Sequence, residues 1–304
     1  MRVLLAIDGS EPAARAARLV GQIAWPDGSA IRVLAVIQPA FDPTIGMPAL
    51  AVSPAIVEEL ATAVRTEAQR VATATAEALK APGRTVESAV SEGRAASIIV
   101  RNAKEFEADL VVVGSHGRGP IAATVLGSVS AEVAETAPCS VLVARGDGIS
   151  RLVLADDRSR HSDAARHLVA SMPGFRGLHV HVVGVEEGPL GWYAWLAPEA
   201  GQAIQAFEDT RTGDRRELTA YVEQEAAALN GRGLVATAVT RDGDPGAEIV
   251  AVAKELDADL VVMGSRGQSG LASMVLGSVS RKVLSHAPCS VLIVRTADAH
   301  RSAA

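Results

Sequence analysis

Two spacings of apolar residues alternate along the chain. Short unbroken runs such as "VLLAI" (3–7), "DLVVVG" (109–114) and "SVLVA" (140–144) are separated by longer segments in which apolar residues recur every three or four positions. A short run that is apolar at every position fits a strand buried on both faces, and a 3.6-residue period gives a helix one apolar stripe. The alternation therefore predicts an α/β fold, a parallel sheet with crossover helices. In the first half it predicts strands near 2–7, 31–37, 84–90, 109–113 and 140–144, with helices near 11–24, 55–80, 95–106 and 128–136. The same order returns in the second half, with strands near 151–155, 178–185, 234–240, 259–263 and 290–294.

The residues repeat as well as the pattern. Residues 107–145 set against 257–295 without gaps give 23 identities in 39 positions, which marks a tandem duplication. Upstream, "SEGRAASIIVRNAKEFEADLVVVG" matches "RDGDPGAEIVAVAKELDADLVVMG" at an offset of 150, whereas "RVLLAIDGS" matches "RLVLADDRS" at 149. Domains of 1–147 and 148–304 follow. In each copy a Pro/Gly-rich stretch follows the second strand, 38–54 and 186–202, and is expected to be a loop or lid at the carboxyl edge of the sheet. The second stretch holds Trp192, Tyr193 and Trp195, either a stacking surface for a base or a cluster that pins the loop.

Composition narrows the class of protein. The 304 residues suit two domains at about 150 each. With 48% hydrophobic and 3% aromatic residues, the cores are aliphatic. A formal charge of -6 argues against neutralising nucleic acid or lying on an anionic membrane. No apolar run approaches the roughly 18 residues of a membrane span, and the N-terminus lacks a signal-peptide core, so a cytoplasmic protein is expected. Cys139 and Cys289 hold equivalent places in two copies of "APCSVL" and read as core residues rather than a disulfide.

The candidate chemistry lies in "GSHGRGPIAATVLGSVS" (114–130) and its counterpart "GSRGQSGLASMVLGSVS" (264–280). Both contain G-x2-G-x9-G-S after an apolar strand. Glycine lets a ligand approach the backbone closely. A serine opening a helix is a candidate cap, and free N–H groups there attract an anion such as phosphate. That attraction is worth about 0.3 to 1 kcal/mol against the roughly 8 of micromolar binding, so a buried base and sugar must supply the remainder. Neither a Walker loop nor G-x-G-x-x-G follows the first strand.

Together with a first strand ending in D-x-S, the doubled loop resembles the universal stress protein family, over essentially the whole chain, twice. The resemblance implies two tandem Rossmann-like (adenine nucleotide alpha hydrolase-like) domains, each a five-stranded parallel sheet flanked by helices. It implies that ATP or AMP binds at the carboxyl edge, with Mg2+ as a candidate companion. By that resemblance Asp8 and Val36 border the adenosine, while Gly114, His116, Gly117, Gly127, Ser128 and Val129 surround ribose and phosphates. The second set is Asp157, Val185, Gly264, Arg266, Gly267, Gly277, Ser278 and Val279. It further implies pairing of domains through the last strands, "SVLVAR" and "SVLIVR", and association of two chains.

The second copy departs at its first strand, where Asp156 replaces Ile7 and Arg158 replaces Gly9. A carboxylate facing the interior is costly unless paired, which leaves that register open and favours adenosine binding in the first half. His179 and His181 share a strand face, but no further metal-ligand motif accompanies them. Ser115 and Ser128 lie outside any nucleophile elbow, and one carboxylate per site, Asp8 or Asp157, gives little support for metal catalysis. The resulting expectation is a regulatory ATP-binding stress protein, with at most slow hydrolysis and an unknown protein partner. A scaffold that binds no nucleotide and a slow ATPase are the alternatives.

Overall fold

A computed structural model describes residues 1–38, 54–117, 126–187, 201–267 and 276–296. The aromatic stretch with Trp192, Tyr193 and Trp195, most of both expected lids and the middle of each glycine loop lie outside the described residues. The chain divides into two compact units, Met1–Gly148 and Ile149–Thr296.

Unit 1 runs β1 (Arg2–Ile7), α1 (Glu11–Gln22), β2 (Ser29–Ile37), α2 (Pro54–Ala78), β3 (Arg84–Glu92), α3 (Ala95–Glu105), β4 (Leu110–Gly114), α4 (Ser128–Thr136) and β5 (Ser140–Ala144). Its strands lie in the order β3-β2-β1-β4-β5, and every pairing is parallel. Val3, Leu4 and Leu5 of β1 and Val111 and Val112 of β4 are fully buried. Helix α1 buries Ala13, Ala16, Leu19 and Val20, a stripe at helical spacing that packs on β1, β4 and β5. The connection from β1 goes toward β2, and the connection from β4 goes the other way, toward β5. Adjacent β1 and β4 therefore form the switch point outside which ligands bind in open sheets of this kind.

Unit 2 repeats the plan with β6 (Arg151–Ala155), α5 (Arg160–Ser171), β7 (His179–Glu187), α6 (Gly201–Asn230), β8 (Val235–Gly243), α7 (Pro245–Glu255), β9 (Leu260–Gly264), α8 (Ser278–His286) and β10 (Ser290–Val294). The order is β8-β7-β6-β9-β10, again all parallel. Cys139 and Cys289 are buried, form no disulfide, and stand just before the last strand of each unit. Among the described residues no helix is long and apolar enough to cross a membrane.

The altered first strand of unit 2 keeps its register. Arg151 pairs with His179 as Arg2 pairs with Ala30, and the Asp156 N–H still donates to the Val183 carbonyl at 2.9 Å. Asp156 is buried but not orphaned. Its carboxylate accepts the Arg158 N–H at 2.9 Å, the Tyr221 hydroxyl at 3.1 Å and the Arg166 guanidinium at 3.3 Å. Arg166 also reaches the Tyr221 hydroxyl and Glu225, each at 2.8 Å. The matching positions in unit 1 are Ile7, Ala17, Val71 and Thr75, so four changes act as one set. Each partner satisfies another; removing only Asp156 would take the acceptor from the Tyr221 hydroxyl and the Arg158 N–H while Arg166 keeps Glu225, a loss on the order of 1–3 kcal/mol. Arg158 stands at φ +63 where unit 1 has Gly9 at φ +75. The Asp156 hydrogen bond and the Tyr221 ring, 5.4 Å from its guanidinium, hold it in that conformation.

Burial, followed by the neighbouring Asp156 carboxylate, pushes the Tyr221 hydroxyl from 10.0 up to about 12. Folded Tyr221 stays neutral where the unfolded chain ionises. Its contribution to stability is thus complete below pH 10 and is lost as pH rises from 10 to about 12. Urea denaturation across this window is expected to show unit 2 weakening with pH, and Tyr221→Phe is expected to remove that component of the slope.

Candidate functional site

Asp8 follows β1 and shapes the turn into α1. Its Oδ1 accepts the Ser10 N–H at 2.9 Å, while Ser10 Oγ accepts the Ala13 N–H at 3.3 Å and caps the helix. The end of β4 passes so close to this first turn that a Cβ on Gly114 would lie 2.8 Å from the Pro12 carbonyl carbon. Three residues on, a Cβ on Gly117 would lie 2.9 Å from Asp8 Oδ2. Gly114 is thus required by the backbone it touches, and at Gly117 the loop backbone lies against the Asp8 carboxylate.

The loop returns to its start. The Ser115 N–H extends the sheet by donating to Ala144, and the Gly127 N–H donates back to the Ser115 carbonyl at 2.7 Å. A Cβ on Gly127 would sit 2.9 Å from the His116 Cα. Ser130 Oγ donates to the Gly114 carbonyl at 2.6 Å, fastening the first turn of α4 to the strand end. Asp8, Gly114, His116, Gly117 and Gly127 are therefore together at the switch point. Val36 is half-buried, one step past the Ile7–Ala35 pair and level with Asp8. Ser128 is exposed and Val129 half-buried, both in the first turn of α4.

One sequence expectation changes. The cap of α4 is Gly127, at φ -68 and ψ 149, and no side chain caps the helix; Ser128 is already helical. Gly277 and Ser278 repeat this in α8. Among the described residues no side chain caps the first turn of either helix, the arrangement that leaves its N–H groups available to an anion. Sequence reasoning overlooked Ser130 and Ser280, whose signal was the repeated "GSVS".

Unit 2 rebuilds the same geometry. Asp157 Oδ1 accepts the Ser159 N–H at 3.1 Å, and Ser159 Oγ caps α5 through the Ser162 N–H at 3.2 Å. A Cβ on Gly264 would meet His161 at 2.7 Å, and one on Gly267 would meet Asp157 Oδ2 at 2.7 Å. Gly277 donates to the Ser265 carbonyl at 2.8 Å, and Ser280 Oγ donates to Gly264 at 2.9 Å. Val185 is half-buried, level with Asp157 on β7, and Val279 lies in the first turn of α8. Gly277 has more room than Gly127, since its Cβ would stay 3.5 Å from Arg266.

The polar side chains under the two loops differ. In unit 1 Ser115 Oγ and His116 Nδ1 meet at 3.0 Å. Ser115 is buried, which withholds it from a substrate, and its counterpart Ser265 is followed by Arg266. In unit 2 burial, then the Arg266 and Arg160 guanidiniums, push the His161 imidazole below its ordinary value against the pull of Asp157. Away from the loops, His181 Nδ1 meets Thr237 Oγ1 at 2.8 Å and His179 is exposed. Among the described residues no group of three or more His, Cys, Asp or Glu is placed to hold a metal ion.

The model of the universal stress protein family matches residues 1–145 and again 148–295. The chain belongs to the universal stress protein family. A universal stress protein of Mycobacterium tuberculosis is 30% identical over 203 residues, 62% of this chain and 62% of its own length. The aligned region thus spans less than two thirds of that relative. A second, from Mycolicibacterium smegmatis, is 28% identical over 305 residues, covering 96% of each chain. The crystal structure of a universal stress protein from Archaeoglobus fulgidus shares the fold with a TM-score of 0.62 at 20% identity, covering 97% of this chain and 98% of that one. Tandem domains of this Rossmann-like α/β fold are what the two units display.

The glycine contacts predict an asymmetric response to one added methyl. Gly127→Ala forces the backbone at His116 to shift and is expected to destabilise unit 1 by about 1–3 kcal/mol. Gly277→Ala meets only ordinary contact and is expected to cost unit 2 only the cap preference of glycine over alanine, on the order of 0.5 kcal/mol. Chemical denaturation of the two variants measures the difference.

Proposed function

We propose that each unit of this universal stress protein binds an adenine nucleotide, ATP first among them, and that the protein is a cytoplasmic regulator in the stress response. The observation that carries this reading is the doubled contact of Gly117 on Asp8 and Gly267 on Asp157. In each unit that contact forms a cradle beside a helix start that no side chain caps. The fit to a nucleotide is chemical. First-turn N–H groups of α4 and α8 face the phosphates, the Asp8 and Asp157 carboxylates accept ribose or base donors, and Val36 and Val185 offer apolar contact to the base. One carboxylate per unit does not build a metal cage; Mg2+ would enter only with the phosphates and through water.

Nucleotide released from the purified, denatured protein and identified by chromatography is expected to be ATP or a product of it. ATP at about 100 times its Kd adds about 2.7 kcal/mol and raises Tm. No released nucleotide together with an unmoved Tm would overturn the reading in favour of a scaffold. Gly117→Ala, which presses a methyl against Asp8, is expected to weaken ATP binding in unit 1 only. Association of two chains belongs to the same reading, and light scattering that returns the mass of one chain contradicts it.

A further inference from the structure

The two candidate sites share a backbone and differ in charge. Gly9, Glu11, His116 and Ala131 border the loop of unit 1, and Arg158, Arg160, Arg266 and Arg281 stand at the matching positions of unit 2. One carboxylate and an imidazole are replaced by four guanidiniums. In unit 1 the carboxylate is engaged along its own helix, since Glu11 accepts from Arg18 at 2.7 Å and from Arg15 at 3.5 Å.

The guanidiniums of unit 2 are not equivalent. Arg158 is committed to the turn, over the Tyr221 ring. Arg160 and Arg281 are exposed and add general attraction. Arg266 lies in the loop itself, and its buried Nε has no hydrogen-bond partner among the described residues. Beside it His161, only 5% exposed, also keeps a buried Nδ1 without a partner among the described residues. The backbone and Cβ of His161 sit against Gly264, and the influence of both Arg266 and Asp157 reaches its imidazole. Unit 1 has no such surplus at these positions, for Pro12 replaces His161 and the His116 Nδ1 already meets Ser115 Oγ. Buried polar atoms left unmatched are costly, and a ligand that satisfies them recovers that cost. A permanently charged guanidinium with an imidazole beside a helix start suits a polyphosphate better than a single phosphate.

We propose that the two sites of this chain differ in the phosphate charge they select: unit 2 prefers a nucleoside triphosphate over the monophosphate through Arg266 and His161, and unit 1 takes either with little preference. The inference rests on the nucleotide reading above. Calorimetric titration of the full chain with ATP and separately with AMP tests it. For ATP two classes of site at least tenfold apart are expected, and for AMP sites within about threefold of each other. Arg266→His is expected to remove the tight ATP class while moving AMP by less than threefold, and His116→Arg is expected to tighten the weak class. Raising NaCl from 50 to 500 mM on the unaltered chain provides a readout that needs no variant, and it is expected to weaken the tight ATP class more than any AMP site. No heat with either nucleotide overturns the nucleotide reading itself. Binding of both, with an ATP-to-AMP ratio unmoved by Arg266→His and by salt, overturns the charge selection alone.

Discussion

A β-carbon does not fit where the end of β4 crosses the first turn of α1, nor where β9 crosses the first turn of α5. Gly114 and Gly264 yield that space, and the close crossing brings the following residues over the turn after the first strand. From it follows the second approach, Gly117 on Asp8 and Gly267 on Asp157. The return hydrogen bonds from Gly127 and Gly277 then set the uncapped starts of α4 and α8 beside the same carboxylates. A strand end, an acidic turn and a helix start become one cradle because the backbones touch.

The duplication kept this steric frame and let the electrostatics diverge. Asp156, Arg166, Tyr221 and Glu225 form a closed polar set where unit 1 has Ile7, Ala17, Val71 and Thr75. The set preserves the turn that Gly9 makes by its own freedom and Arg158 makes by being held. A surface pair shows the same tolerance. Arg94 to Glu132 links α3 and α4 at 2.7 Å, and Asp244 to Lys282 links α7 and α8 at 2.8 Å with the signs exchanged. Geometry that depends on contact is retained in both units, whereas charge that depends only on complementarity has been free to invert.

Much of this was legible in the sequence. Runs such as "DLVVVG" are long enough for a strand and too short for a helix, so the strands lie within a few residues of where the pattern places them. The duplication pointed to the candidate site, because the spacing G-x2-G-x9-G-S is kept in both copies. Two features were not legible. The capping role moved from Ser128 to Gly127 because a cap is defined by backbone angles, which residue type alone does not fix. The side-chain partners of Asp156 lie 10 and 65 positions away, on α5 and α6, and only folding brings Arg166 and Tyr221 to it and Glu225 to Arg166.

If the cradle made by these glycine contacts is a nucleotide site in both units, the chain has two such sites. Equilibrium dialysis of the intact protein against labelled ATP, after bound nucleotide has been stripped, counts them directly. Saturation at two nucleotides per chain is the predicted result; saturation at one, or no retention at all, would contradict it.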